Sequence, residues 1–134
     1  MALLIAGVLA AVAVPRLVDR GAFQARSTAA EMRSALRYAQ KLAMAKNREV
    51  CVGVTATMVT LTLNPTQTAG AACSQPVTRP GEGNPYVLTL PAGMALAPVI
   101  GFRYDGAGRP SAWTTYTLDG SNPITVARET GYVQ

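Results

Sequence analysis

The chain has no histidine among its 134 residues, and it has only two cysteines. The lack of histidine excludes Ser-His-Asp and Cys-His catalytic groups, and it leaves no imidazole to complete a zinc site with the cysteines. The seven carboxylates are scattered along the chain, and no glycine-rich phosphate loop is present. A serine–lysine pair stays open as an alternative, but nothing favours one. We therefore expect no enzyme, no metal ion and no cofactor.

Charge is also scarce, since only 14% of the residues are charged where about a quarter is usual. Hydrophobic residues make up 49% of the chain, and this combination argues against disorder. The length suits one modest domain. We expect such a chain to give part of its surface to lipid or to other subunits.

The few charges are unevenly placed along the chain. Residues 1–48 carry eight basic and two acidic groups, a net charge of +6, whereas residues 49–134 carry four basic and five acidic groups, a net charge of −1. The positive charge therefore belongs to the N-terminal third, which indicates two structural parts rather than a uniformly basic protein.

The two cysteines, Cys51 and Cys73, are 22 positions apart and form no CxxC pair. They are either one disulfide in an oxidising compartment or two buried free thiols. We favour the disulfide, because the N-terminal segment described next is of the kind found in exported proteins. Closing such a loop would stabilise the fold by roughly 3 kcal/mol in the chain-entropy treatment.

No hydrophobic run is long enough to cross a membrane alone. Residues 1–14 are uncharged and apolar, but a bilayer core needs about 20 such residues, and Pro15 and Arg16 end the run. A signal peptide would need a basic start and a cleavage site, and a buried core helix would be amphipathic rather than apolar all round. Neither description fits, so we interpret the run as a membrane helix whose first residues are missing from this sequence.

A helical pattern continues after the proline. An apolar stripe, with spacings of four and three residues, is formed by Ala25, Ala29, Met32, Leu36, Ala39 and Ala43. We predict one long helix over about residues 3–46, kinked at Pro15. A basic face is formed by Arg26, Arg33, Arg37 and Lys41. This face is either simply solvated or attracted to an acidic partner or to anionic lipid headgroups.

Beyond residue 48 the pattern alternates with a period of two, which predicts β-strands. Strands are expected at residues 50–54, 58–63, 86–90, 99–104, 114–118 and 124–127, with a hairpin turn at residues 55–57. Residues 64–84 are rich in proline and glycine and predict a long loop, which a Cys51–Cys73 bond would pin to the first strand.

The predicted strands have one buried face, and the apolar stripe of the helix is its candidate cover. We therefore predict an α+β fold, in which a long N-terminal helix packs its second half on antiparallel β structure. The predicted parts are a hydrophobic membrane or filament-core helix at residues 1–20 and a globular domain at residues 21–134. That domain would combine an amphipathic helix at residues 21–46 with a β-rich part at residues 49–134.

Several segments carry a family resemblance. Residues 9–17 (LAAVAVPRL) resemble the end of the hydrophobic helix of type IV pilins and type II secretion pseudopilins. Residues 35–43 (ALRYAQKLA), 102–110 (FRYDGAGRP) and 124–133 (ITVARETGYV) are similar to the minor-pilin group that includes the H pseudopilin and the FimT-type pilins. Within that group the chain looks closest to pilin-like proteins of the mannose-sensitive haemagglutinin (MSHA) pilus. The family's basic leader, its processing site and its glutamate would all lie upstream of Met1.

The resemblance implies a pilin-like fold and a structural subunit of a type IV pilus or type II secretion pseudopilus, which serve cell adhesion or protein transport. The subunit would sit in the bacterial inner membrane with its globular domain in the periplasm, and an assembly platform would then move it into the filament. Its partners would be lipid and the N-terminal helices of other pilins. The membrane and assembly helix would contain Leu3, Leu4, Ile5, Val8, Leu9, Val12, Val14 and Pro15, with small residues for close approach at Ala6, Ala10, Ala11 and Ala13.

DNA binding is a first alternative, because some FimT-type pilins bind DNA through a Gly-Arg-x-Arg motif near the C-terminus. Gly108 and Arg109 match the start of that motif, but Ser111 stands in place of its second arginine. Arg103, Arg109 and Arg128 are the candidate DNA-binding residues. Phosphate binding needs several cations acting together, and the C-terminal part has a net charge of −1.

A role at the filament tip in adhesion is a second alternative. Residues 64–84 would then form a recognition surface, since long pinned loops often carry binding functions. Trp113 and Tyr116 are candidates for contact residues or for core, and we expect at least one of them to be core.

Overall fold

A computed structural model describes residues 20–118 and 122–134, with side chains from residue 23 onward. The first part of the predicted helix, residues 3–19, lies outside these ranges, and so do the membrane residues named above. The described helix, α1, spans Arg20–Lys46. In the part that the structure describes, the strands are β1 (Val50–Val54), β2 (Met58–Leu63), β3 (Gln75–Pro76), β4 (Val87–Thr89), β5 (Leu96–Ala97), β6 (Phe102–Tyr104), β7 (Thr114–Leu118) and β8 (Ile124–Val126).

Helix α1 buries the predicted apolar stripe. The stripe residues are each at most 1% exposed, which confirms the helical period read from the sequence: Ala25, Ala29, Met32, Leu36, Ala39 and Ala43. Four of these six are alanines, so the helix backbone can approach the sheet closely. The helix ends at Lys46 and is followed by Asn47, whose φ of 50° is a left-handed conformation typical of a C-terminal cap; the Arg48 amide donates to the Ala43 carbonyl at 3.2 Å.

Strands β1 and β2 form the predicted antiparallel hairpin, with Val52 opposite Leu61. The turn is stabilised by Thr55, whose backbone amide donates to the Met58 carbonyl at 2.8 Å. The Thr55 hydroxyl accepts from the Met58 amide at 2.9 Å. Valines 50, 52 and 54 point into the core while Cys51 and Gly53 face outward, so alternation has set which face is buried.

The hairpin is the centre of a five-stranded antiparallel sheet in the order β3–β2–β1–β6, with β4 pairing to the other half of β2. Strands β5, β7 and β8 form a separate three-stranded antiparallel sheet. Helix α1 packs mainly on β1, β4 and β6 of the larger sheet. The fold is therefore α+β, with one helix on an antiparallel sheet, as predicted, but the β structure is divided between two sheets.

One hydrophobic core joins the helix to both sheets. It includes Leu36 of the helix, Val52 and Leu61 of the larger sheet, and Tyr116 and Ile124 of the smaller one. Aromatic side chains connect the two sheets. The centroid of the Phe102 ring on β6 lies 5.0 Å from that of Tyr104 on the same strand and 6.4 Å from that of Tyr116 on β7.

Three strand predictions were too long and two strands were missed. The strand predicted at residues 99–104 begins only at Phe102, because Gly101 lies against the Val52 carbonyl and Val99 and Ile100 are exposed. The strands predicted at residues 86–90 and 124–127 are shorter by two residues and one residue. The two-residue strands β3 and β5 were missed; β3 lies within the predicted loop 64–84, so that loop is not wholly irregular.

Candidate functional site

The predicted disulfide joins Cys51 on β1 to Cys73 in the loop that follows β2, with the two Cα atoms 6.2 Å apart. Cys51 points to the face of the sheet that α1 does not cover. The bond therefore fastens the loop across the outer face of the sheet, which confirms the pinning predicted from the sequence.

A polar cluster fastens the same loop a few residues before Cys73. The Glu49 carboxylate accepts hydrogen bonds from the Gly70 amide at 3.0 Å, from the Asn64 side-chain amide at 3.4 Å and from the Arg103 guanidinium at 3.1 Å. Arg103 also donates to the Ala71 carbonyl at 2.7 Å. We call Glu49, Asn64 and Arg103 the loop clamp, because together they hold both ends of the segment that leads to Cys73.

Asn64 is the buried member of the loop clamp, with 0% exposure. Its side-chain amide donates to the Thr68 carbonyl at 2.8 Å, and its side-chain oxygen accepts from the amide and the hydroxyl of Thr66, both at 2.9 Å. All polar atoms of this side chain are thereby satisfied, as burial requires. Asn64 thus shapes the first turn of the loop.

Neither Glu49 nor Asn64 was among the candidate functional residues predicted from the sequence. One signal was available: Glu49 and Cys51 are two residues apart, so in an extended chain they share a face. The partners of Glu49 come from 15, 21 and 54 residues away, a combination that no local pattern encodes.

The loop clamp makes folding sensitive to acid. Burial by itself raises the pKa of Glu49, but the hydrogen bonds from Gly70, Asn64 and Arg103, together with the Arg103 charge, outweigh it and leave the pKa below its ordinary value. A carboxyl with a lowered pKa in the folded state contributes stability above its unfolded pKa, and this contribution is lost as the pH falls through the folded pKa.

We therefore predict that the free energy of unfolding falls more steeply with acid in the natural chain than in Glu49→Gln, starting below about pH 4.3. Urea unfolding between about pH 6 and pH 3, monitored by circular dichroism, measures both slopes. The Glu129→Gln variant is a control that removes an exposed carboxylate of the C-terminal segment. Parallel pH profiles for the natural chain and Glu49→Gln would contradict the prediction.

The three arginines proposed for DNA binding have different environments. Arg103 belongs to the loop clamp, where it pairs with Glu49 and its side chain is 34% exposed. Arg109 and Arg128 are exposed. Their turns are neighbours, because Gly131 lies against the Gly108 carbonyl. The structure thus brings two of the candidates onto adjacent turns and engages the third in an ion pair; DNA binding stays a prediction, which a salt-dependent gel shift tests.

The predicted basic face of α1 is divided in the structure. Arg37 donates to the Val133 carbonyl at 2.9 Å and Arg33 donates to the Asn122 carbonyl at 3.3 Å, so both fasten the C-terminal segment to the helix. Arg26 and Lys41 are exposed. Half of the face therefore has a structural use that neither of the two interpretations offered above had included.

Gln40 completes this attachment of the C-terminal segment. Its side-chain amide donates to the Thr130 carbonyl at 2.7 Å and to the Gly108 carbonyl at 3.0 Å. Gly131 follows at a φ of +69°, and a Cβ there would collide with the Gly108 carbonyl and lie 2.7 Å from the Gln40 amide. The segment is seated so tightly that only glycine fits.

Gly131→Ala is expected to lower the free energy of unfolding by about 2 kcal/mol, since both the left-handed backbone and the collision oppose a side chain. Gly81→Ala is the matched control, because Gly81 has a φ of +80° but no atom within 4 Å of the added Cβ. It should cost about 1 kcal/mol. Equal losses in the two variants, measured by urea unfolding, would show that the tight seat of Gly131 contributes nothing.

Of the two aromatic residues left open by the sequence, one is core and one is surface. Tyr116 is 0% exposed, and burial raises its pKa to about 12. Trp113 is 63% exposed, and two other large hydrophobic residues are also exposed, Val99 at 57% and Ile100 at 52%. The backbone amide of Ser111 donates to the Arg103 carbonyl at 2.8 Å, so the segment that leads to Trp113 runs beside β6.

Within residues 20–118 and 122–134, no helix has the length and apolar character needed to cross a bilayer. In the same part of the chain, no three acidic or cysteine side chains come together as a metal-binding group.

No known protein family, characterised protein or solved structure matches this chain.

Proposed function

We propose that this chain is a structural minor pilin or pseudopilin that assembles into a type IV pilus or a type II secretion pseudopilus. In this proposal its fold is pilin-like, and the chain sits in the bacterial inner membrane before it enters the filament. The resemblance of residues 9–17, 35–43, 102–110 and 124–133 to such proteins motivates the proposal.

One observation carries it. Helix α1 packs its whole apolar stripe against the sheets, while the 14 apolar residues at the start of the chain precede that helix by only a few positions. The buried face of the sheets is therefore already covered by α1, and residues 1–14 are not needed to cover it. We assign them to lipid before assembly and to the helices of other subunits after it.

Other features suit this role. The disulfide fits a domain exposed to the oxidising periplasm, where such bonds form and persist. The C-terminal segment is fastened back onto α1 by Arg33, Arg37 and Gln40, so the domain and its helix would be moved as one unit during assembly.

Flotation with lipid vesicles tests the membrane step. The full chain should rise with the vesicles, whereas Leu9→Lys should weaken this association, because a lysine inside a membrane helix costs about 2.5–3.5 kcal/mol. Thr117→Lys is the matched control, since Thr117 is exposed on β7 and should leave flotation unchanged. If the natural chain stays at the bottom of the gradient, the membrane assignment of residues 1–14 is wrong.

A further inference from the structure

We propose that the loop clamp directs formation of the disulfide, with Glu49 as the residue that positions Cys73 beside Cys51. The proposal concerns a role that is independent of the filament function. It rests on where the clamp acts along the loop and on which strand face it occupies.

The clamp and the disulfide lie on the same strip of the sheet. Glu49 comes immediately before β1 and Cys51 is two residues further on, facing outward. Arg103 on β6 is the register partner of Cys51. The three side chains therefore line one short stretch of the outer face, and the loop must cross this stretch for Cys73 to reach Cys51.

The clamp fixes the loop directly before the cysteine. Glu49 accepts from the Gly70 amide and Arg103 donates to the Ala71 carbonyl, three and two residues before Cys73. An extended chain advances at most about 3.3–3.6 Å per residue, so a fixed Ala71 confines Cys73 to a small volume. Cys51 lies inside that volume, 6.2 Å away between Cα atoms.

The chemistry that benefits is thiol–disulfide exchange with a small disulfide such as oxidised glutathione. One cysteine thiolate attacks a glutathione sulfur and releases one glutathione thiolate, which leaves a mixed disulfide. The second cysteine thiolate then attacks the protein sulfur and releases the second glutathione. Two thiols lose their protons and two electrons, and the oxidised glutathione is reduced to two glutathione molecules. The second attack is the step that a confined loop accelerates, because both sulfurs belong to one chain.

Coupling between the clamp and the bond is reciprocal. If the intact clamp favours closure of the disulfide by some factor, then the closed disulfide favours the clamp by the same factor. The clamp should therefore be measurable in two ways, through the equilibrium of the bond and through the order of the loop when no bond can form.

The first test is the equilibrium constant of the Cys51–Cys73 bond against a glutathione redox buffer, measured on the full chain in mild detergent by thiol alkylation. Glu49→Gln should lower this constant about tenfold, which corresponds to the loss of about one hydrogen bond to a charged group. Glu129→Gln is the matched control, because Glu129 is an exposed carboxylate on the C-terminal segment, which the neighbouring Thr130 carbonyl attaches to Gln40 of α1 rather than to the loop. It should leave the constant unchanged.

Two results would overturn the proposal in this test. Glu49→Gln could leave the constant at the natural value, in which case the clamp does not position Cys73. Alternatively, Glu129→Gln could lower it as much as Glu49→Gln does, in which case the loss of any carboxylate has the same effect and Glu49 has no special role.

The second test needs no substitution in the clamp. In Cys51→Ser/Cys73→Ser the disulfide is absent, and hydrogen exchange of the Gly70 amide reports whether Glu49 still holds the loop. We expect slow exchange, with protection of about tenfold or more over an unstructured peptide, since the clamp forms on its own. Exchange at the rate of a free peptide would show that the bond orders the loop and not the reverse.

Discussion

Leu36→Ala is expected to lower the free energy of unfolding by about 2–5 kcal/mol, the usual range for removing a large aliphatic side chain from a closed core. Leu36 is 0% exposed at the middle of the α1 stripe, between Met32 on the preceding turn and Ala39 on the next. Ala39 has a single side-chain carbon and cannot fill the cavity, whereas the flexible Met32 side chain can fill part of it.

Leu42→Ala provides the comparison for that prediction, since it is the same substitution on the same helix at a residue only partly buried against the core. Urea unfolding followed by circular dichroism gives both values. We expect the Leu36 variant to lose at least twice as much stability as the Leu42 variant. Similar losses in the free energy of unfolding would mean that the stripe does not dominate the packing of the helix on the sheet.

Removal of the disulfide has the second large expected effect. Cys51→Ser/Cys73→Ser should cost about 3 kcal/mol, because the bond closes a loop across 22 positions and so restricts the unfolded chain. For a domain of this size the melting temperature should fall on the order of 10 °C.

Reduction of the natural chain offers an independent check of that value. A reducing agent should bring its melting temperature down to that of Cys51→Ser/Cys73→Ser, and it should have no effect on the double variant itself. If reduction leaves the natural chain's melting temperature where it was, the bond contributes nothing to stability, and the entropy argument fails for this loop.

The features that sequence reasoning recovered are those with a strong local period. The helix stripe follows a period near 3.6, and the strands β1, β2 and β7 alternate cleanly, so their positions and buried faces were predictable. The disulfide was predictable because only two cysteines exist and one lay in a predicted strand.

The features that it did not recover depend on contacts between distant parts of the chain. Strands β3 and β5 are two residues long, too short for any period, and exist only because β2 and β7 offer them hydrogen bonds. Arg33 and Arg37 had the appearance of a solvated basic face, yet their partners lie 89 and 96 residues away. Similarly, the division into two sheets could not be read from alternation, which marks strands but not their neighbours.

The proposed function depends on residues 1–14 meeting other subunits as a helix, and cysteine cross-linking in membranes tests this most directly. On a helix, Ala6, Ala10 and Ala13 share one face and Val8 lies on the opposite one. Under oxidation, Ala10→Cys in the full chain should form disulfide-linked dimers in lipid bilayers, and more of them than Val8→Cys does, because small residues allow helices to approach closely. Ala10→Cys that stays monomeric in the bilayer would contradict the filament-subunit account.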